Sequence, residues 1–299
     1  MWFRNLQIYR LPRNLEGSSE ALDESLAKSA LHPCGPTEPQ CVGWVAPSRS
    51  GALVHAINRQ WLVALGVEQR LLPTTIVRQL AADRAKTIEE AEGRRVGRKE
   101  LRDLCEALTI ELMPRAFIRR RTTFGWIDPI NGWLVIDAGA QAKAEEFLEH
   151  LRKTVDGFPA SLLKTALSPS SAMTGWVAGN EPPPGFTIDQ DIELRSAENA
   201  LIRYTRHSLE GKEIREHIGE GKVVTRLGMT WNDRISFVLD EKLQIKRLSF
   251  LDIIKEETDG LAENEDERFD LDFTLMTGEL THLLEALVTA LGGEPEGRT

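Results

Sequence analysis

The stretch Lys222–Phe250 reads KVVTRLGMTWNDRISFVLDEKLQIKRLSF and bears most directly on the fold. It contains three short runs rich in strand-forming residues, separated by the turn pairs Asn232-Asp233 and Asp240-Glu241; the runs are Lys222–Trp231, Arg234–Leu239 and Leu243–Phe250. Short strands joined by such turn residues are typical of an antiparallel meander. This part of the chain is therefore predicted to be an antiparallel sheet.

The N-terminal part shows the same pattern around a helix. Trp2–Leu11 alternates as a strand does, and Gly17–Ala30 is predicted to be a helix. Three more short strands follow, at Cys41–Ala46, Ala52–Ile57 and Trp61–Val67. A strand, a helix and a series of strands favour antiparallel β-sheets with flanking helices, so the fold class is α+β.

A helical hairpin is predicted after Pro73, where Thr74 or Thr75 can cap the first helix. The second helix has leucines at helical spacing from Leu101 to Leu112, and Pro114 stops it. Glycines bracket an arginine-rich elbow between the helices. A strand at Trp133–Asp137 and a helix at Gln141–Val155 follow, and the tryptophans of the strand patterns are predicted to lie in the core: Trp44, Trp126 and Trp133.

The C-terminal half is less regular. Ser168–Gly185 is rich in Pro, Gly and Ser and predicts a linker, followed by a short helix near Ile192–Leu201. Ser208 is a candidate cap for a helix to His217. Lys255–Arg268 is expected to be an acidic loop before a final helix at Leu275–Leu291.

These elements suggest four regions. They are a central sheet region (1–70 with 123–170), a helical base lobe with the arginine-rich elbow (71–122), a small tip lobe (171–221), and a meander, acidic loop and C-terminal helix packing back on the centre (222–299).

Charge is distributed unevenly along the 299 residues, whose net charge is −9. Leu251–Thr299 holds 14 acidic and 3 basic residues, whereas Arg70–Thr122 holds 13 basic and 8 acidic residues. Because the local field decides where a polyanion binds, the negative total does not exclude nucleic acid.

Composition argues against several classes of protein. No apolar stretch approaches the roughly 20 residues that span a bilayer, and the N-terminus lacks a signal-peptide hydrophobic region, so we expect a cytoplasmic protein without a membrane partner. Cys34, Cys41 and Cys105 are an odd count without framework spacing, and we expect reduced thiols. His32, Cys34 and Cys41 could suggest a zinc site, but the candidate fourth ligand, Cys105, lies far along the chain. We therefore expect neither a metal nor another cofactor.

No catalytic constellation stands out. The Gly-x-Ser-x-Gly elbow, the phosphate-binding loop and the dinucleotide fingerprint are all missing, so no catalytic residue is assigned and we expect no enzyme. The carboxylates of Asp252–Asp272 leave a metal-dependent nuclease as an alternative, although the segment is expected to be a loop.

Basic residues recur in four clusters and suggest phosphate contacts. A run such as Arg119-Arg120-Arg121 is often only a solvated strand edge, but recurrence on an otherwise acidic chain favours binding. Guanidinium groups without a recognition helix imply affinity without sequence choice. The clusters are Arg94, Arg95 and Arg98; Arg119, Arg120 and Arg121; Arg206 and Lys212; and Lys222 and Arg226.

A series of short motifs, in order and nearly end to end, resembles the recombination-associated RdgC family. They are Trp2–Leu6, Tyr9-Arg10-Leu11, Pro33-Cys34-Gly35, Gly43-Trp44-Val45, Leu72-Pro73, Pro114–Phe117, Trp126-Ile127-Asp128, Asn131-Gly132, Gly221–Thr225, Leu275–Leu280 and Leu291–Glu294.

The resemblance implies an elongated, curved monomer that forms a ring-shaped homodimer around duplex DNA. It further implies sequence-independent binding, antagonism of RecA and a place with the nucleoid. By the same resemblance Phe117 is a dimer contact, Arg94, Arg115 and Lys222 line the ring, and Arg206 and His207 form the opposite contact. This sequence departs from the family pattern at Arg206-His207, where a Lys-Gln-like pair is expected, and its elbow is shorter and richer in arginine.

Two readings of the partners stay open. One is a ring that binds double-stranded DNA, and single strands as well. The other is a regulator that reaches RecA by direct protein contact.

Overall fold

A computed structural model of the chain describes residues 1–251 and 262–295. Its strands, in chain order, are β1 (Leu6–Arg10), β2 (Gln40–Val45), β3 (Val54–Ile57), β4 (Gln60–Leu71), β5 (Phe117–Asp128), β6 (Trp133–Asp137), β7 (Ser161–Leu162), β8 (Phe186–Arg195), β9 (Leu201–Tyr204), β10 (Val223–Trp231), β11 (Ile235–Asp240) and β12 (Ile245–Phe250). Its helices are α1 (Ser19–Ala27), α2 (Thr74–Glu92), α3 (Arg98–Leu112), α4 (Gln141–Thr154), α5 (Pro169–Gly179), α6 (Lys212–Gly219) and α7 (Glu265–Ala290).

The strands form one antiparallel sheet in the order β2-β4-β5-β6-β1-β12-β11-β10-β8-β9, with β3 on β4 and β7 on β1. The two halves of this sheet meet between β1 and β12, where Leu6 and Ile245 are the paired residues. The α+β fold class and the antiparallel pairing predicted from the sequence are therefore confirmed.

Three apolar clusters hold the structure together. The largest packs both halves of the sheet against α5 and α7 and unites Phe3, Leu62 and Trp126 with Leu227 and Met276. A second, on the other face of the N-terminal half, packs α1 and α4 around Trp44 and Phe147. A third, smaller cluster joins α2 and α3. The three tryptophans expected in the core are buried there, and the division of the chain into lobes stays a prediction.

The predicted meander and helical hairpin are both present. Strands β10, β11 and β12 pair in succession, with turns at the predicted positions. The hairpin is α2 and α3, and Gly93 ends α2 with a left-handed φ of 63°, a conformation that glycine adopts at little cost. Pro73 occupies the cap position of α2 without a side-chain hydrogen bond, so neither Thr74 nor Thr75 caps the helix.

The prediction of a linker at Ser168–Gly185 is wrong, because α5 occupies most of this segment. The Ser168 side chain accepts a hydrogen bond from the amide of Ser171, and Pro169 stands at the start of the helix, where its missing N–H has no cost. Met173 and Val177 are buried against the sheet. Small residues that suggested a loop thus let a helix pack closely.

The short helix predicted near Ile192–Leu201 is also wrong. The segment contains the end of β8 and the turn into β9, and Ile192 and Leu194 point into the core. Asn199 in the turn has a left-handed φ of 64°. Apolar residues of β8 recur with a period of two, which is typical of a strand.

Helix α7 begins ten residues earlier than expected. The side chain of Asn264 caps it, accepting from the amide of Glu267, so Glu265–Arg268 lies in its first turn and not in a loop. The three carboxylates in this turn stabilise the helix because they interact favourably with the positive end of its dipole. The rest of the predicted acidic loop, residues 255–261, lies outside the described residues. Within the described residues, no helix is both long and apolar enough to cross a bilayer.

Candidate nucleic-acid interface

The elbow between α2 and α3 exposes three arginines, of which one is already paired. Arg94 donates to Glu92 at 2.6 Å and to Glu100 at 2.7 Å, so its charge is largely neutralised within the hairpin. Arg95 and Arg98 are exposed and form no ion pair with a described residue. Arg95 and Arg98 therefore provide free positive charge at the elbow.

The triple arginine lies inside β5, and its side chains divide between the two faces of the sheet. Arg120 donates to the buried Glu68 on β4 at 2.9 Å. Arg119 donates to Gln69 at 2.7 Å, and Arg121 is paired at 2.6 Å with Glu146 of α4 on the opposite face from Arg120. The run does not form one basic surface, because successive strand residues point in opposite directions.

Arg115 belongs to a short 3-10 helix, Met113–Arg115, between α3 and β5. Arg70 holds this turn in place by donating to the carbonyls of Met113 and Pro114, each at 3.4 Å. Phe117 follows with 85% of its surface exposed, next to the exposed apolar side chains of Ile118 and Leu71. A large apolar side chain in this position is typical of a contact surface.

Arg206 and His207 lie in the loop between β9 and α6, beside the outer face of the C-terminal half-sheet. The backbone amide of Arg206 donates to Asp191 at 3.0 Å, and Arg206 itself has a left-handed φ of 54°. His207 lies 3.6 Å from Glu213 and stacks near Tyr204. Lys212, at the start of α6, is exposed and without an ion pair to a described residue.

Lys222 is half-buried rather than extended into solvent. Its Nζ contacts the carboxylate of Glu220 and lies 3.3 Å from Nδ1 of His217. His217 in turn meets the hydroxyl of Tyr204 at 3.1 Å. Lys222 is therefore linked to the loop of Arg206 through two aromatic side chains.

A cleft of about 390 Å³ lies on the outer face of β8–β12, and four cations and two carboxylates line it. Arg226 was expected to contribute to DNA binding and does line this cleft. Arg203, Lys246 and Arg247 line it as well and were not found from the sequence.

Two carboxylates line this cleft and are less exposed than its arginines; one is Glu193, and the other is Asp191, which is 34% exposed and lies 3.5 Å from Arg247. Glu193 is only 9% exposed, whereas Arg203, Arg226 and Arg247 are 54%, 48% and 75% exposed. Arg203 and Arg226 both contact Glu193, and Thr225 donates to it at 3.0 Å. Burial alone would raise the pKa of Glu193, but these partners lower it overall, so the carboxylate stays charged.

Lys246 adds a cation at the floor of the cleft. Its Nζ donates to the carbonyl of Gly139 at 2.7 Å. Burial lowers its pKa, and the nearby charges of Arg226 and Lys242 lower it further, while Asp240 opposes the shift. The electrostatic repulsion between cations this close together decreases when an anion binds between them.

The opposite side of the same half-sheet is acidic. Helix α7 packs there and carries seven carboxylates and one arginine. The sheet thus separates positive charge on its open face from negative charge on its covered face, which directs a polyanion to one side.

The structure brings some of the predicted residues together and leaves others apart. Arg226 lines the cleft and Arg206 directly follows two of its lining residues, whereas Lys222 contacts His217 and Glu220. The elbow and β5 arginines lie on the hairpin and its junction with the N-terminal half-sheet. Lys246-Arg247 could have been noticed as basic residues in the predicted meander. Arg203 could not, because its segment was assigned to no strand.

The cysteines differ from expectation. Cys34 and Cys41 form a disulfide, with Cα atoms 5.5 Å apart, so the prediction of reduced thiols is wrong for this pair; Cys105 is free. A seven-residue separation in sequence gave no sign that the intervening loop folds back. The same cysteines and Glu38 are the group of metal-ligating side chains that the described residues bring together. Much of the acidic segment considered for a nuclease, residues 252–261, lies outside the described part of the chain.

Comparison with known proteins gives one consistent match. A family model described as "Putative exonuclease, RdgC" matches residues 1–294. The chain is 52% identical over 299 residues to the recombination-associated protein RdgC of Dechloromonas aromatica, covering 98% of both chains. It is 51% identical over 298 residues to that of Janthinobacterium sp., with 99% of both chains covered. It is 52% identical over 296 residues to that of Herminiimonas arsenicoxydans, covering 98% of this chain and 99% of the relative.

Proposed function

The chain belongs to the RdgC family of recombination-associated proteins, and from that membership we propose that it binds DNA without sequence preference as a ring-shaped homodimer. In this proposal the ring encircles duplex DNA, also accepts single strands, and antagonises RecA by occupying its substrate. The protein acts in the cytoplasm at the nucleoid and carries out no catalysis.

One observation carries the DNA-binding part. On the open face of β8–β12, four cations and two carboxylates line the cleft, and the three guanidinium groups are more exposed than the carboxylates that they contact, so the surface that a ligand meets is positive although the chain is acidic. The described residues that line the cleft lie in strands and loops, which suits contact with phosphates more than the reading of base edges by a helix. Such a surface supports affinity that depends on charge and not on sequence.

The ring rests on the family and on Phe117. An 85% exposed phenylalanine with apolar neighbours supports a contact between protomers at the hairpin end. The loop of Arg206 and His207 is more polar and supports a second, weaker contact, where the ring opens to admit DNA.

The test is a salt titration of affinity for unrelated duplexes, using the triple variant Arg203→Ala, Arg226→Ala and Arg247→Ala. If these residues contact phosphates, the slope of log affinity against log salt becomes shallower by about 2–3, since each phosphate contact contributes roughly 0.9. All duplexes should weaken alike.

A matched control removes three exposed lysines, one at the end of α1 and two on α4, which pack on the other face of the N-terminal half-sheet: Lys28→Ala, Lys143→Ala and Lys153→Ala. This variant loses the same charge and should keep most of the slope. Equal slopes for both variants would mean that the cleft is not the binding surface. A loss confined to one duplex sequence would contradict phosphate recognition.

Two rival functions are separated by the same material. A regulator that acts through RecA alone would show no affinity for bare duplex DNA. A metal-dependent nuclease would shorten end-labelled DNA in the presence of Mg²⁺ or Mn²⁺, and we expect the DNA to stay intact.

A further inference from the structure

The disulfide between Cys34 and Cys41 lies beside residues of the proposed interface. Cys34 is buried, and it follows the segment that pairs with the outer edge of β2. Cys41 is the second residue of β2 and is half-buried, so it is the more accessible of the two sulfur atoms.

A first connection runs through Glu68. The amide of Cys34 donates to Oε1 of Glu68 at 3.2 Å, and Nε of Arg120 donates to Oε2 of the same carboxylate at 2.9 Å. The hydrogen bond from Arg120 and that from Cys34 lower the pKa of Glu68. One carboxylate therefore joins the backbone of a cysteine to an arginine of β5.

A second connection runs through Arg70. Its guanidinium donates to the carbonyls of Cys34 and Gly35 at 3.3–3.4 Å, and also to those of Met113 and Pro114 at 3.4 Å. The cysteine loop is thus tied to the 3-10 turn that carries Arg115 and leads into Phe117. Four carbonyls on one guanidinium mean that moving either segment changes the contacts of the other.

We propose that Cys34 and Cys41 are a reversible thiol–disulfide pair that reacts with low-molecular-weight thiols and disulfides and controls the order of residues Met113–Arg120. In the oxidised form the short loop holds Cys34 and Gly35 where Arg70 and Glu68 reach them. In the reduced form the loop between the cysteines is free to move, and the turn before Phe117 loses part of its support.

A small disulfide oxidises the two thiols by accepting two electrons. The thiolate of Cys41 attacks one sulfur of the small disulfide, whose S–S bond breaks to release one thiolate. The thiolate of Cys34 then attacks the Cys41 sulfur and releases the second. The protein loses two electrons and two protons, and the small disulfide becomes two thiols.

Reversibility follows from where the protein acts. Disulfides in a reducing compartment are usually transient or redox-sensing, whereas structural ones belong to oxidising compartments. This step rests on the proposed function, because binding to chromosomal DNA places the chain where thiols are kept reduced.

The first experiment uses the full chain carrying Cys105→Ser, which removes the unpaired cysteine on α3 and leaves the pair intact. The protein is equilibrated in buffers of varying reduced and oxidised glutathione, trapped by alkylation and weighed by mass spectrometry. We expect one two-electron transition, absent from Cys34→Ser and from Cys41→Ser, whose remaining cysteine forms at most a mixed disulfide. A pair that stays fully oxidised or fully reduced across the series would overturn the proposal.

The second readout is amide hydrogen exchange in both states. Reduction should speed exchange at Met113–Arg120 by about tenfold and leave α4 unchanged. Equal exchange in both states would show that the pair does not control this segment. Neither readout involves DNA, so failure of the proposed function and failure of this inference are distinguishable.

A metal site is the competing explanation for two thiols beside a carboxylate. Zn²⁺ alone is therefore added to the reduced protein, and binding is followed by competition with a chromogenic chelator. Tight binding of one ion that is weakened by Glu38→Gln would assign the cluster to metal and overturn the redox proposal. Weak binding that Glu38→Gln does not alter supports the proposal.

Discussion

Replacing Phe117 with serine should separate the protomers without unfolding them. Phe117 is the first residue of β5, and 85% of its surface is exposed in the single chain. Substitutions of exposed residues usually change the free energy of unfolding by about 0.5 kcal/mol or less. The folded monomer should therefore tolerate the change.

The effect on assembly is much larger. A phenylalanine buries about 150–250 Å² when fully covered, so a contact covering half of it removes roughly 100 Å² from water. At about 25 cal/mol per Å² this is ~2.5 kcal/mol for each side chain. A two-fold axis counts it twice, so the variant dimer should be weaker by about 5 kcal/mol, or roughly 4,000-fold in dissociation constant.

Sedimentation velocity over a range of concentrations measures this directly. The unmodified chain should sediment as a dimer and Phe117→Ser as a monomer at micromolar concentration, with lower affinity for DNA. Leu162→Ser is the matched control, because Leu162 on β7 is 62% exposed and belongs to the central sheet. A dimer of unchanged stability, together with a lower melting temperature, would mean that Phe117 serves the fold of the monomer.

Three further predictions concern other parts of the molecule. Arg120→Ala and Arg121→Ala should each lower the melting temperature, because they remove the arginine partner of the buried Glu68 and of Glu146 on α4. Arg119→Ala should change it little, because its partner Gln69 is neutral, and equal melting temperatures for the three variants would contradict this. Gly125→Ala should destabilise the fold by about 1–3 kcal/mol in urea unfolding, because its added Cβ would lie 2.4 Å from the Phe147 ring, and an unchanged midpoint would show that the ring moves aside. Burial raises the pKa of Asp189, and nearby Asp191 adds to this shift while Thr230 opposes it. The folded state therefore loses stability as the pH rises from below the unfolded pKa through the folded pKa. Asp189→Asn should raise the melting temperature at neutral pH and lose that advantage in acid.

Local patterns predicted the elements that bury one face. Strands β10–β12 and helices α3 and α4 were found because apolar residues recur with the period of their element. Helix α5 was not predicted because glycine, serine and proline are typical of loops. Met173 and Val177 are buried by packing against β10, and two apolar residues alone do not indicate a helix.

The site was harder to predict than the fold. Which face of β5 an arginine occupies depends on the register with β4, and that register is set by tertiary contacts. The cleft unites residues of β8, β9, β10 and β12, so Arg203 and Arg247 become neighbours only after the half-sheet has formed. The disulfide was unpredictable for a related reason, since it depends on a loop that Arg70 and Glu68 hold in place.

The largest apolar cluster also determines when the chain can fold during synthesis. The amide of Phe3 donates to the sulfur of Met276, 273 residues later in the chain. Leu62 and Trp126 belong to the same apolar cluster as this helix. Until α7 has left the ribosome, one face of the N-terminal half-sheet is covered by α1 and α4, and the apolar side chains of the other face are exposed to water. Contacts of such long sequence separation form late and leave apolar surface exposed meanwhile. Growing chains should therefore depend on chaperones that bind exposed apolar segments, and shortening the chain before α7 should yield aggregates instead of a smaller DNA-binding protein.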